Sequence, residues 1–117
     1  MTTLRRGLVI DVDLDPTQGS ETGKICPCIV VTNNVYNERV PVVQVTPITA
    51  WSEKKSRITS NVELDPRPEN GLEKRSIADC LQTRPIDHRF RLVRVRGELT
   101  AAEMKRIDAA LRVVFSL

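Results

Sequence analysis

Cys26-Pro27-Cys28 places two thiols around a proline, directly after the polar, glycine-bearing run GSETGK. The spacing is C-x-C, not the C-x-x-C of zinc ligand pairs, and His88 is the only histidine, so a structural zinc site is not expected. No H-E-x-x-H, P-loop, G-x-S-x-G or magnesium-binding carboxylate cluster is present. His88 lies in Ile86-Asp87-His88-Arg89, which reads as a turn before a strand, and no second acid or base accompanies it there. Ser20 and Glu21 are left as polar groups in a loop that either binds a partner or faces water.

The chain around these residues has 117 residues, one domain's length, with a net charge of +3 spread among acids. A domain of that size is marginal as an isolated monomer, so partner chains would help it. The charge raises the expectation of a phosphate-bearing partner only slightly. Three cysteines, an odd number, suit a reducing compartment. No apolar stretch approaches the roughly 20 residues needed to cross a bilayer, and MTTLRRG runs straight into a strand-like pattern. The expectation is a soluble, cytoplasmic protein.

Short strands are predicted first. Leu8, Ile10, Val12 and Leu14 alternate with Val9, Asp11 and Asp13, as in a half-buried strand. DPTQGSETGK breaks the pattern as a loop long enough to do work, and Cys26–Thr32 is dense in β-branched residues, with Pro27 near the start of that strand. Further strands are expected over Val40–Thr49, ending or bulging at Pro47, and over Ile58–Leu64, Ser76–Thr83 and Phe90–Leu99. DPRPENGLEKR should be a surface loop. The period then changes: Thr100 and Glu103 form a capping box, and Met104, Ile107, Leu111 and Val114 share one helical face. The architecture predicted is a small, twisted β-sheet or barrel closed by a C-terminal helix.

Taken in order, DLDPTQGSETGK, ICPCIVV, VTPIT, the triplet Gln82-Thr83-Arg84 and GELTAAEMKRIDAAL resemble the MazF/PemK family of toxin endoribonucleases, over Arg5 to Leu117. The resemblance implies an SH3-like small β-barrel with a terminal helix, assembled as a homodimer. It implies cleavage of single-stranded RNA, commonly mRNA, without metal or other cofactor, and a cognate antitoxin that silences the toxin by filling the RNA groove. Such cleavage uses the neighbouring 2′-hydroxyl as nucleophile. The protein then moves protons and stabilises the phosphorane.

By that resemblance the family's arginine falls at Cys26 and its supporting threonine at Thr49. A cysteine offers neither the permanent charge nor the forked donors of arginine, and an ionised thiol sets a negative charge beside a phosphate. Cleavage is expected to be weak or lost. Either Cys26 disables the toxin, or Lys24, two residues earlier and so on the same face if the strand reaches it, supplies the charge. Cys28 and Cys80 read as small buried strand residues.

Recognition is expected from the surrounding loops. Ser20 and Glu21 match the family's G-S-E segment beside the active site. Gln82 either reads a base edge or satisfies backbone, and Trp51 either stacks on a base or packs against a second subunit. Lys54, Lys55 and Arg57 suit RNA phosphates or an acidic antitoxin tail, or are plain solvated surface. A different class of function stays open on the same scaffold: a catalytically silent protein that binds RNA or antitoxin and regulates transcription with the latter. A peptide-binding β-barrel module is the third reading.

Overall fold

The computed structural model describes residues 3–117. In chain order it contains β1 (Leu8–Asp13), β2 (Ile25–Val30), α1 (Asn34–Asn37), β3 (Val42–Ala50), α2 (Glu53–Ser56), β4 (Asn61–Leu64), β5 (Ser76–Asp79), a 3-10 turn (Cys80–Gln82), β6 (Arg84–Asp87), α3 (His88–Arg91), β7 (Leu92–Glu98) and α4 (Ala101–Phe115). Every ladder is antiparallel. The strand order is β4-β5-β3-β2-β1-β7, with β6 beside the first half of β3. Among the described residues the two end strands β4 and β7 are not paired with each other, so the barrel-like sheet stays open.

The alternation in β1 predicts one buried face, whereas the structure buries both: Val9, Ile10, Asp11 and Val12 are all inside. The cause is its place in the sheet. β1 lies between β2 and β7, with Val9 in a cluster shared with Ile29, Leu64 and Ile107, and Ile10 and Val12 in a second cluster with Leu4, Cys28, Val30 and Val43. The helix α4 covers the first cluster, and the N-terminal Leu4 seals the second.

Pro47 neither ends nor bulges β3, which runs on to Ala50. Instead it marks a change of neighbour. Up to Val45 the strand pairs with β6, from Ile48 it pairs with β5, and Pro47 itself lies opposite Cys28 of β2. A residue without an N–H sits at low cost where one ladder stops and the next begins. The segment expected as one strand over Ser76–Thr83 is divided for the same purpose. Thr83 bonds the Cys80 carbonyl and the Thr46 hydroxyl at 2.7 Å each, turning the chain from β5 to the other half of β3.

Three polar connections hold single helical turns capped by their own side chains. Asn33 accepts from Val35, Ser52 from Lys55, and Asp87 from Arg89. The loop DPRPENGLEKR is only partly on the surface, because Asn70 is fully buried, accepting from the Arg67 and Leu72 amides and donating to the Asp65 carbonyl. It presses on β7 so closely that a Cβ at Gly97 would lie 2.3 Å from the Glu69 carbonyl.

The predicted capping box of α4 is present, with Thr100 Oγ1 accepting from the Glu103 amide and Glu103 Oε1 accepting from the Thr100 amide. Glu103 also holds Arg67 of the loop, so the helix start is tied to β7's neighbour. Met104, Ile107 and Ala110 are buried, with Leu111 and Val114 packed at the margin. Among the described residues no helix is long and apolar enough to cross a membrane.

Candidate active site

The β2–β3 ladder pairs Cys28 with Pro47, Ile29 with Thr46 and Val30 with Val45. Each step toward the start of β2 moves one residue along β3, so the same register carries Cys26 to Thr49. That continuation runs two residues past the last paired positions, and the Ile48 backbone lies close enough to the Cys26 sulfur to lower its thiol value. The Cys28 sulfur is 3.8 Å away on the same face of β2. Hydrogen bonding from the Cys28 thiol, then from the Ile48 amide, with the Arg84 charge adding to both, holds the Cys26 thiol below its ordinary value despite burial and the charge of Asp11. The bond it gives Cys26, together with its burial, drives the Cys28 thiol upward.

Lys24 does not share that face. Its φ of 63° puts it in the left-handed region one residue before β2 begins, so the two-residue alternation stops short of it, and its side chain is exposed. Its structural contribution comes from the backbone, whose amide donates to Asp15 Oδ1 at 2.9 Å and whose carbonyl accepts from Leu14 at 2.9 Å, closing the loop between β1 and β2. Gly23 leaves room at this closure, since a Cβ there would lie 2.5 Å from Thr17 Oγ1 and 2.7 Å from Asp15 Oδ1 and push those side chains aside.

Gln82 reaches across to the same loop with both ends of its amide. Its Oε1 accepts from the Thr22 amide at 3.2 Å and its Nε2 donates to the Ser20 carbonyl at 3.0 Å. The amide is therefore spent on backbone, and it positions Ser20 and Glu21. Glu21 in turn accepts from the Gln18 amide at 2.6 Å. A cleft of about 370 Å³ opens here between Glu21, Thr22, Gln82, Thr83 and Arg84.

Near the end of β3, Lys55 Nζ lies 3.5 Å from Thr49 Oγ1, brought there by the Ser52 cap of α2. Lys54 is exposed beside it, whereas Arg57 is occupied by Glu53 at 2.5 Å. Trp51 is half-buried with the Arg75 guanidinium 4.0 Å over its ring, so one face of the indole is covered within the chain. Among the described residues its Nε1 has no hydrogen-bond partner. His88 is buried and lines a different cavity, with Asn37, Glu38 and Arg39.

Residues 5–115 match the family model described as PemK-like, MazF-like toxin of type II toxin-antitoxin system. The chain belongs to that family. It is 33% identical over 114 residues to Endoribonuclease EndoA of Bacillus subtilis (strain 168), covering 97% of this chain and 96% of that protein. It superposes on the Mycobacterium tuberculosis toxin MazF-mt6 with a TM-score of 0.75 at 27% identity, over 96% and 98% of the two chains. A mycobacterial endoribonuclease solved in complex with its cognate antitoxin shares the fold, with a TM-score of 0.77 at 23% identity over 97% and 96% of the chains.

Two arginines of this MazF/PemK member escaped the reading of single residues. Arg84 donates to the Leu14 carbonyl at 3.1 Å, and Arg91 to the Asp13 and Asp15 carbonyls at 2.8 and 2.7 Å, so both clamp the root of the loop, and the Arg84 charge also acts on Cys26. Arg84 stood in plain view within the Gln82-Thr83-Arg84 triplet. Asp11 carried a signal too: a lone acid amid apolar neighbours, matched by Arg94 and Arg96, which both bond it at 2.6 Å.

Proposed function

We propose that this protein is a toxin-class endoribonuclease whose substrate phosphodiester lies between Cys26 and Thr49, attacked by its own 2′-hydroxyl, and whose cleavage is impaired by Cys26. The register of the β2–β3 ladder supports this reading, since its continuation past Cys28–Pro47 leads Cys26 toward Thr49, the two positions implied by family resemblance. Lys55 at Thr49 and Arg84 near Cys26 offer cations to a phosphate. Neither supplies the forked guanidinium of an arginine at residue 26, and the thiol there is held below its ordinary value. Lys24 contributes through the loop backbone and by general attraction of RNA. Trp51 and Lys54 extend the RNA-facing surface, and Ser20 and Glu21 border it.

The partners proposed are single-stranded RNA, a cognate antitoxin and a second copy of the chain, in the cytoplasm. Phe90 of α3 is 81% exposed and Val93 of the edge strand β7 is 52% exposed, apolar surface that an assembled form would cover.

The test is cleavage of mixed-sequence single-stranded RNA in chelator by this chain and by its Cys26→Arg variant. The variant is expected to cleave about 10²-fold faster or more, by analogy with the loss of one transition-state donor. Equal and strong cleavage by both forms would remove the impairment from the reading. The absence of an arginine at residue 26 also favours a second reading, a silent binder that regulates transcription with the antitoxin. That reading predicts salt-dependent RNA binding without cleavage by both forms.

A further inference from the structure

Of the three cysteines, Cys80 is fully buried and its thiol is pushed up to about 12 by burial and then by Asp79, so it is shielded and poorly ionised. Cys26 and Cys28 differ from it in being a pair. Their sulfurs are 3.8 Å apart on one face of β2, with Cys26 partly exposed and Cys28 completely enclosed beside it. One sulfur is therefore accessible to a small reagent and the other is within reach of the first alone.

We propose that Cys26-Pro27-Cys28 is a thiol modification site, in which a hydroperoxide oxidises Cys26 and Cys28 resolves the product into a disulfide within the strand. The Cys26 thiolate attacks one peroxide oxygen, the O–O bond breaks, and the departing hydroxide takes up a proton as water. Cys26 is left as a sulfenic acid, oxidised by two electrons. The Cys28 thiol then gives up its proton, its sulfur attacks the Cys26 sulfur, and the S–O bond breaks with release of a second water. Two thiols and one peroxide yield one disulfide and two waters.

The site is built for this order of events. Donors from Ile48 and Cys28 stabilise the outer sulfur as the anion that attacks, and the enclosed Cys28 keeps its proton until its partner has become electrophilic. Closure requires the sulfurs to move from 3.8 Å to about 2.05 Å. Residues two apart in a strand have Cα atoms about 6.6 Å from each other, near the upper limit of about 6.8 Å for a disulfide, so the bond closes under strain and is readily reduced. Pro27 eases the bend, because with no N–H it gives up no donor bond to β1 when the strand flexes there. The chemistry is independent of whether the chain cuts RNA, and the test reads the bond itself.

The full-length chain is reduced, freed of reductant, treated with one equivalent of hydrogen peroxide, and analysed by intact-mass and peptide mass spectrometry. The expected product has lost about two mass units, both thiols of the peptide holding Cys26 and Cys28 resist alkylation, and dithiothreitol restores them. Cys26→Ser should abolish the mass loss, and Cys28→Ser should leave a sulfenic acid at residue 26 that dimedone traps. If Cys28→Ser fails to fold, this chain and Cys26→Ser decide between them. Sulfinic or sulfonic acid at Cys26 with Cys28 still alkylatable would overturn the proposal, as would disulfides linking two chains, or first reaction at Cys80.

Discussion

At residue 26 a sulfur and a guanidinium would make opposite demands on a phosphate. The guanidinium is cationic at every working pH, whereas the thiol acquires a negative charge as pH rises, and it does so earlier here because Cys28 and Ile48 stabilise the anion. Affinity for single-stranded RNA should therefore fall as pH rises through the lowered Cys26 value, with the weaker binding on the alkaline side. Fluorescence anisotropy from pH 6 to 9 at fixed salt reads this, and Cys26→Ser is expected to flatten that step. A step of equal size in the serine variant would assign the titration elsewhere.

Among elements, the loop between β1 and β2 and the helix α4 depend on a few side-chain bonds. Gln82→Ala deletes the two bonds to Ser20 and Thr22, so stability should drop by about 1 kcal/mol and the Thr22 amide should lose protection in hydrogen exchange. Cleavage or RNA affinity should fall with it, because Ser20 and Glu21 lose their anchor. Thr100→Ala breaks the capping box of α4 at a cost of about 1 kcal/mol, read as a lower midpoint in urea with unchanged slope. A larger loss there would mean that the Glu103 bond to Arg67 collapses too.

Across the whole molecule, Asp11 joins the sheet to the loop that packs on it. Burial opposes ionisation of its carboxyl, but the bonds and charges of Arg94 and Arg96 outweigh that and hold it below the usual carboxylate range. Arg96 also donates to the Gly71 carbonyl at 2.9 Å, so the pair locks β1, β7 and the 65–75 loop together. Asp11→Asn should destabilise the fold near neutral pH by about 2 kcal/mol, less than for a fully enclosed pair because Arg94 is more than half exposed. With a folded value below the unfolded one, the contribution is complete above about pH 4 and fades as pH falls through the folded value. Thermal midpoints of the two forms should therefore draw together in acid, and a gap that does not narrow as the pH is lowered below about 4 would refute the ionic origin.

Local chemistry made several parts of this protein readable from residue order. The capping box at Thr100 and Glu103 with the apolar stripe of α4 depends on contacts within a few residues, as do the turn at Gly19 to Gly23 and the β-branched run of β2. The likeness to the MazF/PemK family rests on short motifs in order and is legible in the same way. What the sequence alone could not disclose depends on which strands become neighbours. The partner change at Pro47, the burial of both faces of β1, the clasp of Gln82 on its loop and the clamping by Arg84 and Arg91 all join residues far apart along the chain. The pairing of Cys28 with Pro47 is of that kind as well: a spacing of residue types names candidates, and only the register between β2 and β3 says which of them lie across from one another.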